Sequence, residues 1–146
     1  MSLFDGGQIL GAGLSAQRQR FETITTNLAN AQTTRTPEGG PYRRRSTILE
    51  AVPVETSFDS VYTQEANRPL TTVRVAGIVQ DNSEPIKKYD PSHPDADKDG
   101  YISLPNIDPA AEMTDLLATT RSFQAMVAGL GAMKDMINRS IEIGRS

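Results

Sequence analysis

Apolar residues return every seven positions near the start of the chain. Leu3, Leu10, Gln17, Ile24 and Ala31 make one series, and Gly7, Leu14, Phe21 and Leu28 make a companion series. Alternating steps of three and four place both on one helical face, as the a and d positions of a two-helix seam. Residues 3–30 are therefore expected to be helical, with Gln17 the one polar seam residue. Ala12, Ala16 and Ala29 favour that helix, whereas Gly6, Gly7, Gly11 and Gly13 oppose it. Each glycine costs about 1 kcal/mol relative to alanine inside a helix. The first turns should order only when packed, and glycine permits close approach of a second helix.

The same period returns at the other end. Leu116, Phe123, Leu130 and Ile137 repeat by sevens, and Met113, Thr119, Met126, Val127, Met133 and Ile141 widen the stripe. Asp108 before Pro109 reads as an N-cap, with Glu112 and Asp115 near the positive end of the helix dipole. Gly144 followed by Arg145 reads as the stop, so residues 108–144 form the second expected helix. At 1.5 Å per residue, either helix spans roughly 40 Å or more.

Between them the period changes. Residues 31–41, AQTTRTPEGGP, break the first helix. Tyr42–Val54, Thr71–Gln80, Pro85–Tyr89 and Tyr101–Leu104 read as short strands, with Pro53 suited to a sheet edge. The expectation is an α+β chain. Residues 1–35 hold the first helix, residues 36–107 a small β-domain of four to six strands, and residues 108–146 the last helix. The terminal helices pair as a coiled-coil stem, and the β-domain protrudes from its side.

Composition changes this picture only at the margins. Hydrophobic residues make up 37 % of the 146-residue chain and aromatics 5 %. A large core is not expected, and the helices should bury their stripes against neighbours. The net charge is −3, which argues against nucleic acid as a partner. Residues 51–108 hold ten acids against five bases, so the middle is a distinct acidic unit. There is no cysteine, which excludes disulfides, thiol catalysis and thiolate metal sites. No transmembrane segment and no N-terminal secretory pattern are visible, so no direct membrane insertion is expected.

Candidate chemistry is sparse. Asp95, Asp97 and Asp99 before Gly100 match the first half of a calcium loop, but Pro105 and Asn106 stand where its second half needs a bidentate acid. A calcium-binding or secreted scaffold module is thus the alternative reading, against a plain acidic turn. His93 is the only histidine, lies between two prolines and has no second ligand nearby. Arg43, Arg44 and Arg45 alternate across a strand and make no single patch, which suits a solvated strand or a salt bridge between subunits. No phosphate loop, catalytic carboxylate pair or nucleophile elbow is present. The expectation is a non-enzyme without catalytic residues, cofactor or metal.

The stretch from Thr26 to Thr34, TNLANAQTT, resembles the NLANxxT signature of the flagellar axial rod and hook family, carried here by Asn27, Leu28, Ala29, Asn30 and Thr33. Gly40–Arg43, the loop from Tyr89 to Asn106, Glu112–Met113 and Arg121–Ala125 follow in an order similar to that of the basal-body rod proteins. The resemblance covers nearly the whole chain, with departures at Met126 and Gly131, where related chains tend to carry asparagine.

It implies a structural subunit of the proximal rod, exported unfolded by the flagellar type III system without a cleaved signal peptide. Such subunits polymerise into a hollow drive shaft crossing the periplasm, which transmits torque and conducts exported subunits. The implied partners are other rod subunits and the membrane-ring and export-gate adaptor. The expected assembly interface combines Leu10, Leu14, Phe21, Ile24 and Leu28 with Leu116, Phe123, Met126, Leu130, Met133 and Ile137. Within the signature, Asn27 is expected to hydrogen-bond backbone at the helix–loop junction, and Asn30 to take a left-handed cap.

Overall fold

A computed structural model describes residues 3–54 and 70–144, with side chains from Asp5 onward. The heptad position Leu3 therefore contributes backbone only, and Arg145 lies outside the described residues. The element order is α1 (Leu3–Ala29), β1 (Arg45–Pro53), β2 (Thr71–Gln80), β3 (Ile86–Tyr89), β4 (Tyr101–Leu104) and α2 (Pro109–Ile143). The protein is α+β, with a helix at each end and small antiparallel sheets between them. No helix among the described residues is long and apolar enough to cross a membrane.

The helix ends follow local chemistry. Asp108 is extended and its carboxylate accepts the Ala110 N–H at 2.9 Å, with Pro109 opening the helix. Asn30 closes α1 by donating from its side-chain amide to the Thr26 carbonyl at 2.9 Å. It does so without a left-handed backbone, since no described non-glycine residue has positive φ. The expected cap conformation is thus replaced by a side-chain bond to the same Thr26 carbonyl that accepts the Asn30 backbone N–H at 3.1 Å. Gly144 also ends α2 in a right-handed conformation, its N–H turned back to Ser140.

The two helices pack antiparallel. Gly6 lies under Met133, Gly13 under Met126 and Gly129 under Leu10, while Arg20 faces Asp115 at 3.9 Å. A methyl group added at Gly13 would come within 2.9 Å of Met126 Sδ, whereas one at Gly11 would meet nothing within 4 Å. Gly11→Ala is therefore expected to raise stability by about 1 kcal/mol through helix propensity. Gly13→Val should lower it by roughly 1–3 kcal/mol by overpacking. Paired urea melts of the full chain check both signs.

β1 and β2 pair antiparallel, from Arg45 opposite Gln80 to Pro53 opposite Thr71, with a bulge between Ile48 and Leu49. This hairpin packs on α1 rather than standing clear of the helical stem. Small α1 residues permit that approach. Ala16 and Thr23 are buried, and the Thr23 and Thr47 hydroxyls meet at 2.9 Å. α1 is thus covered on two sides, by α2 and by the hairpin.

β3 and β4 form a second antiparallel pair, from Ile86 opposite Leu104 to Tyr89 opposite Tyr101. The described β-region is therefore two two-stranded sheets, not one continuous sheet. Gly100 turns the intervening loop at φ +80, where a Cβ would press within 3.0 Å of Tyr89. The buried apolar core is small: Ala16, Ile24, Tyr42, Val54, Ile102 and Ile107 among the described residues.

Candidate functional site

The signature asparagine sits at the crossing of α1, β1 and α2 and is 1 % exposed. Its side chain uses both donors and both lone pairs. Nδ2 donates to the Arg45 carbonyl at 2.8 Å and to Glu112 Oε2 at 3.2 Å. Oδ1 accepts the Arg45 N–H at 2.9 Å and the Tyr42 hydroxyl at 3.0 Å. The amide pairs with both backbone groups of Arg45, as a neighbouring strand residue would. Aspartate lacks the donors this requires, and leucine lacks both functions. Asn27 thus bonds backbone, but that of Arg45 at the start of β1 and not that of the helix–loop junction.

Glu112 completes the junction. Its side chain is 2 % exposed, and Arg44 reaches Oε1 at 2.7 Å. Burial of this carboxylate is tolerable because the guanidinium and the Asn27 amide satisfy both of its oxygens. The three arginines diverge. Arg43 donates to Asn82, Arg44 pairs with Glu112, and Arg45 lies over the Tyr42 ring at 5.7 Å. Arg44 therefore belongs to an ion pair within the subunit rather than to a solvated strand. An open cleft of roughly 350 Å³ adjoins the junction, lined in part by Arg20, Thr23, Arg44, Glu112 and Asp115.

Burial holds the Tyr42 phenol above its ordinary value of 10.0; Arg45 opposes the shift and Glu112 adds to it. The folded phenol thus ionises later than the unfolded one. Its contribution to stability is whole below the ordinary value and is lost as pH climbs through the higher folded value. Stability is expected to fall across that alkaline window, and Tyr42→Phe should flatten the fall in urea melts on either side of pH 10.0.

The acidic loop is a built turn. Asp97 Oδ1 accepts the N–H groups of Asp99 and Tyr101, both at 2.9 Å. Asp95 Oδ2 accepts the Thr34 hydroxyl at 2.7 Å, which ties the loop to the signature segment. His93 Nδ1 accepts the Asp95 N–H at 3.1 Å. A hydrogen bond from Ser92 holds the Asp90 carboxyl below its usual range. The acids point to different partners, and no group of three or more metal-ligating side chains converges among the described residues.

The candidate interface residues divide by position. Ile24 is buried; Leu10 lies against Gly129, and Met126 and Met133 lie against Gly13 and Gly6, between the two helices. Leu14, Leu28, Leu116 and Leu130 are half-buried. Phe21, Phe123 and Ile137 are open, at 41 %, 40 % and 38 % exposure. The face α1 turns to α2 runs through Gly6, Gly13 and Asn27, one position before the Gly7–Leu14–Phe21–Leu28 series. Within the signature, Leu28 and Thr33 are half-buried and Ala29 is exposed; Thr33 bonds Asn30 Oδ1.

α2 carries a second apolar stripe outside the helix pair, including Met113, Leu117, Val127 and Ile141. Tyr42, Arg44 and Glu112 were not singled out by sequence as junction residues. One signal for Glu112 was available: it stands seven residues before Thr119 and fourteen before Met126, in phase with the stripe that faces α1.

Residues 8–35 match the family described as Flagella basal body rod protein, and residues 98–143 match Flagellar basal body rod FlgEFG protein C-terminal. The chain is 36 % identical to the flagellar basal-body rod protein FlgC of Bacillus subtilis, over 99 % of this chain and 100 % of that one. It is 36 % identical to FlgC of Borreliella burgdorferi, over 98 % of both chains. It is 30 % identical to FlgC of Salmonella typhimurium, over 99 % of this chain and 100 % of that one.

Proposed function

The chain belongs to the FlgC family of flagellar basal-body rod proteins and is a structural subunit of the flagellar rod, and from that premise we propose that it polymerises through its terminal helices into the hollow shaft of the proximal rod. The shaft transmits torque and conducts exported subunits. In this reading residues 1–35 and 108–146 form a coiled-coil stem, and residues 36–107 its outer part. The subunit acts by contact rather than catalysis. Its partners in the basal body are other rod subunits and the membrane-ring and export-gate adaptor. It reaches the periplasmic rod by the flagellar type III system.

The observation that carries this reading is the uncovered apolar face of the helix pair. Leu117 is 60 % exposed, and Phe21, Phe123, Val127 and Ile141 are also open on the same two helices. Such a run on a chain with so small a core is expected to be covered by another subunit. Leu10, Ile24, Met126 and Met133 hold the two helices together, while Leu14, Phe21, Leu28, Leu116, Phe123, Leu130 and Ile137 meet neighbours.

Basal bodies purified from the source cells test it. The chain is expected in the rod fraction, and its deletion should leave cells without rods and unable to swim. A deletion strain that swims normally would overturn the assignment.

A further inference from the structure

We propose that the buried Asn27–Glu112 contact selects the register in which α1 and α2 pair, a choice that their glycine–methionine packing leaves open. Met133 covers Gly6 and Met126 covers Gly13, so that built Cβ atoms would fall 3.1 Å from Met133 Cε and 2.9 Å from Met126 Sδ. Asn27 meets Glu112 further along the same line. Glycines and methionines repeat at the same seven-residue interval. Sliding α2 by one heptad, about 10 Å, therefore still sets a methionine over a glycine, Met126 over Gly6. Methionine adapts readily to such a change of neighbour.

In charge the slide exchanges one partner of Glu112 for another. It takes Glu112 away from Arg44, 2.7 Å away in the observed register, and brings it to Arg20, whose present partner Asp115 stands 3.9 Å away with both side chains more than two-fifths exposed. Shape and charge along the seam thus accept two registers. Asn27 accepts one. In the slid register it faces Pro105, ahead of α2, and its Nδ2 loses the Glu112 carboxylate in a buried setting. A single buried polar position in an apolar seam fixes register at some cost in stability. Asn27 and Glu112 are positioning residues in this sense, and the inference stands or falls independently of the rod assignment.

The chain has no cysteine, so introduced pairs report the register without interference. Leu10→Cys with Gly129→Cys reports the observed one, because the Leu10 methyl carbons lie 3.7 Å from a Cβ built on Gly129. Leu10→Cys with Ser122→Cys reports the slid one. A disulfide needs Cα atoms within about 7 Å, so a slide of about 10 Å separates the two readouts.

In the purified full-length chain, oxidised and mapped by mass spectrometry, the 10–129 bond is expected and the 10–122 bond is not. With Asn27→Ala added, the 10–122 product should rise several-fold at the expense of 10–129. The 10–129 bond alone in both backgrounds overturns the proposal, as does its failure to form with Asn27 intact. Should Asn27→Ala unfold the chain, Met126→Ala with Met133→Ala decides. The intact polar contact is then expected to hold 10–129, and a 10–122 bond in that variant overturns the proposal.

Discussion

Asn27→Asp is expected to lower the stability of the full chain by roughly 3–5 kcal/mol and to stop swimming. The substitution keeps size and the acceptor oxygen, so the Arg45 N–H and the Tyr42 hydroxyl can still be satisfied. It removes both donors. The Arg45 carbonyl is left without its partner, and a second carboxylate stands where the amide now meets Glu112 at 3.2 Å. Total stabilities of about 5–15 kcal/mol leave little margin for such a loss. Urea melts followed by circular dichroism measure it. The deficit should narrow on acidification, because a carboxyl beside Glu112 binds a proton more readily in the folded state than in the unfolded one. An unchanged midpoint at neutral pH would show that the amide donors are dispensable.

Phe123→Asp should separate folding from assembly. Phe123 is 40 % exposed, so the cost of the substitution to the isolated chain is about 1 kcal/mol. In an assembled rod the same carboxylate would be pressed into an apolar contact, where an unpaired charge costs several kcal/mol. The expected result is a near-native circular dichroism spectrum together with loss of rods and motility. Leu28→Asp tests the same face beside the signature, where the residue is half-buried and a larger folding cost is expected. Normal motility in Phe123→Asp would remove this face from the interface. A collapsed spectrum would instead place Phe123 in the fold of the subunit itself.

These two variants also mark the boundary between local and distant information. The uncovered stripe could be read from spacing, because helical period is a local property. The same holds for the element ends. Asp108 and Pro109 start α2, Pro53 ends β1, and Gly100 turns the loop between β3 and β4. Each follows from one residue's own donors, ring or lack of a side chain. The seam of α1 was harder to read. Its residues at 6, 13 and 27 are glycine, glycine and asparagine, which carry no apolar signal, so the pattern drew attention to the next position along.

By itself, then, the sequence determined two long terminal helices, four short strands, the turn at Gly100 and a family signature at Asn27–Thr33. It could not show that the signature amide pairs with Arg45 and with a glutamate 85 residues away, or that Arg44 turns inward to neutralise that glutamate. Nor could it show that the first hairpin packs on α1 and that the described strands form two separate sheets. The physical reason is the same throughout. Backbone propensity, capping and turn geometry act over a few residues. The partner of a buried polar group is chosen only when distant segments meet, since many pairings satisfy the same local rules and only packing decides among them.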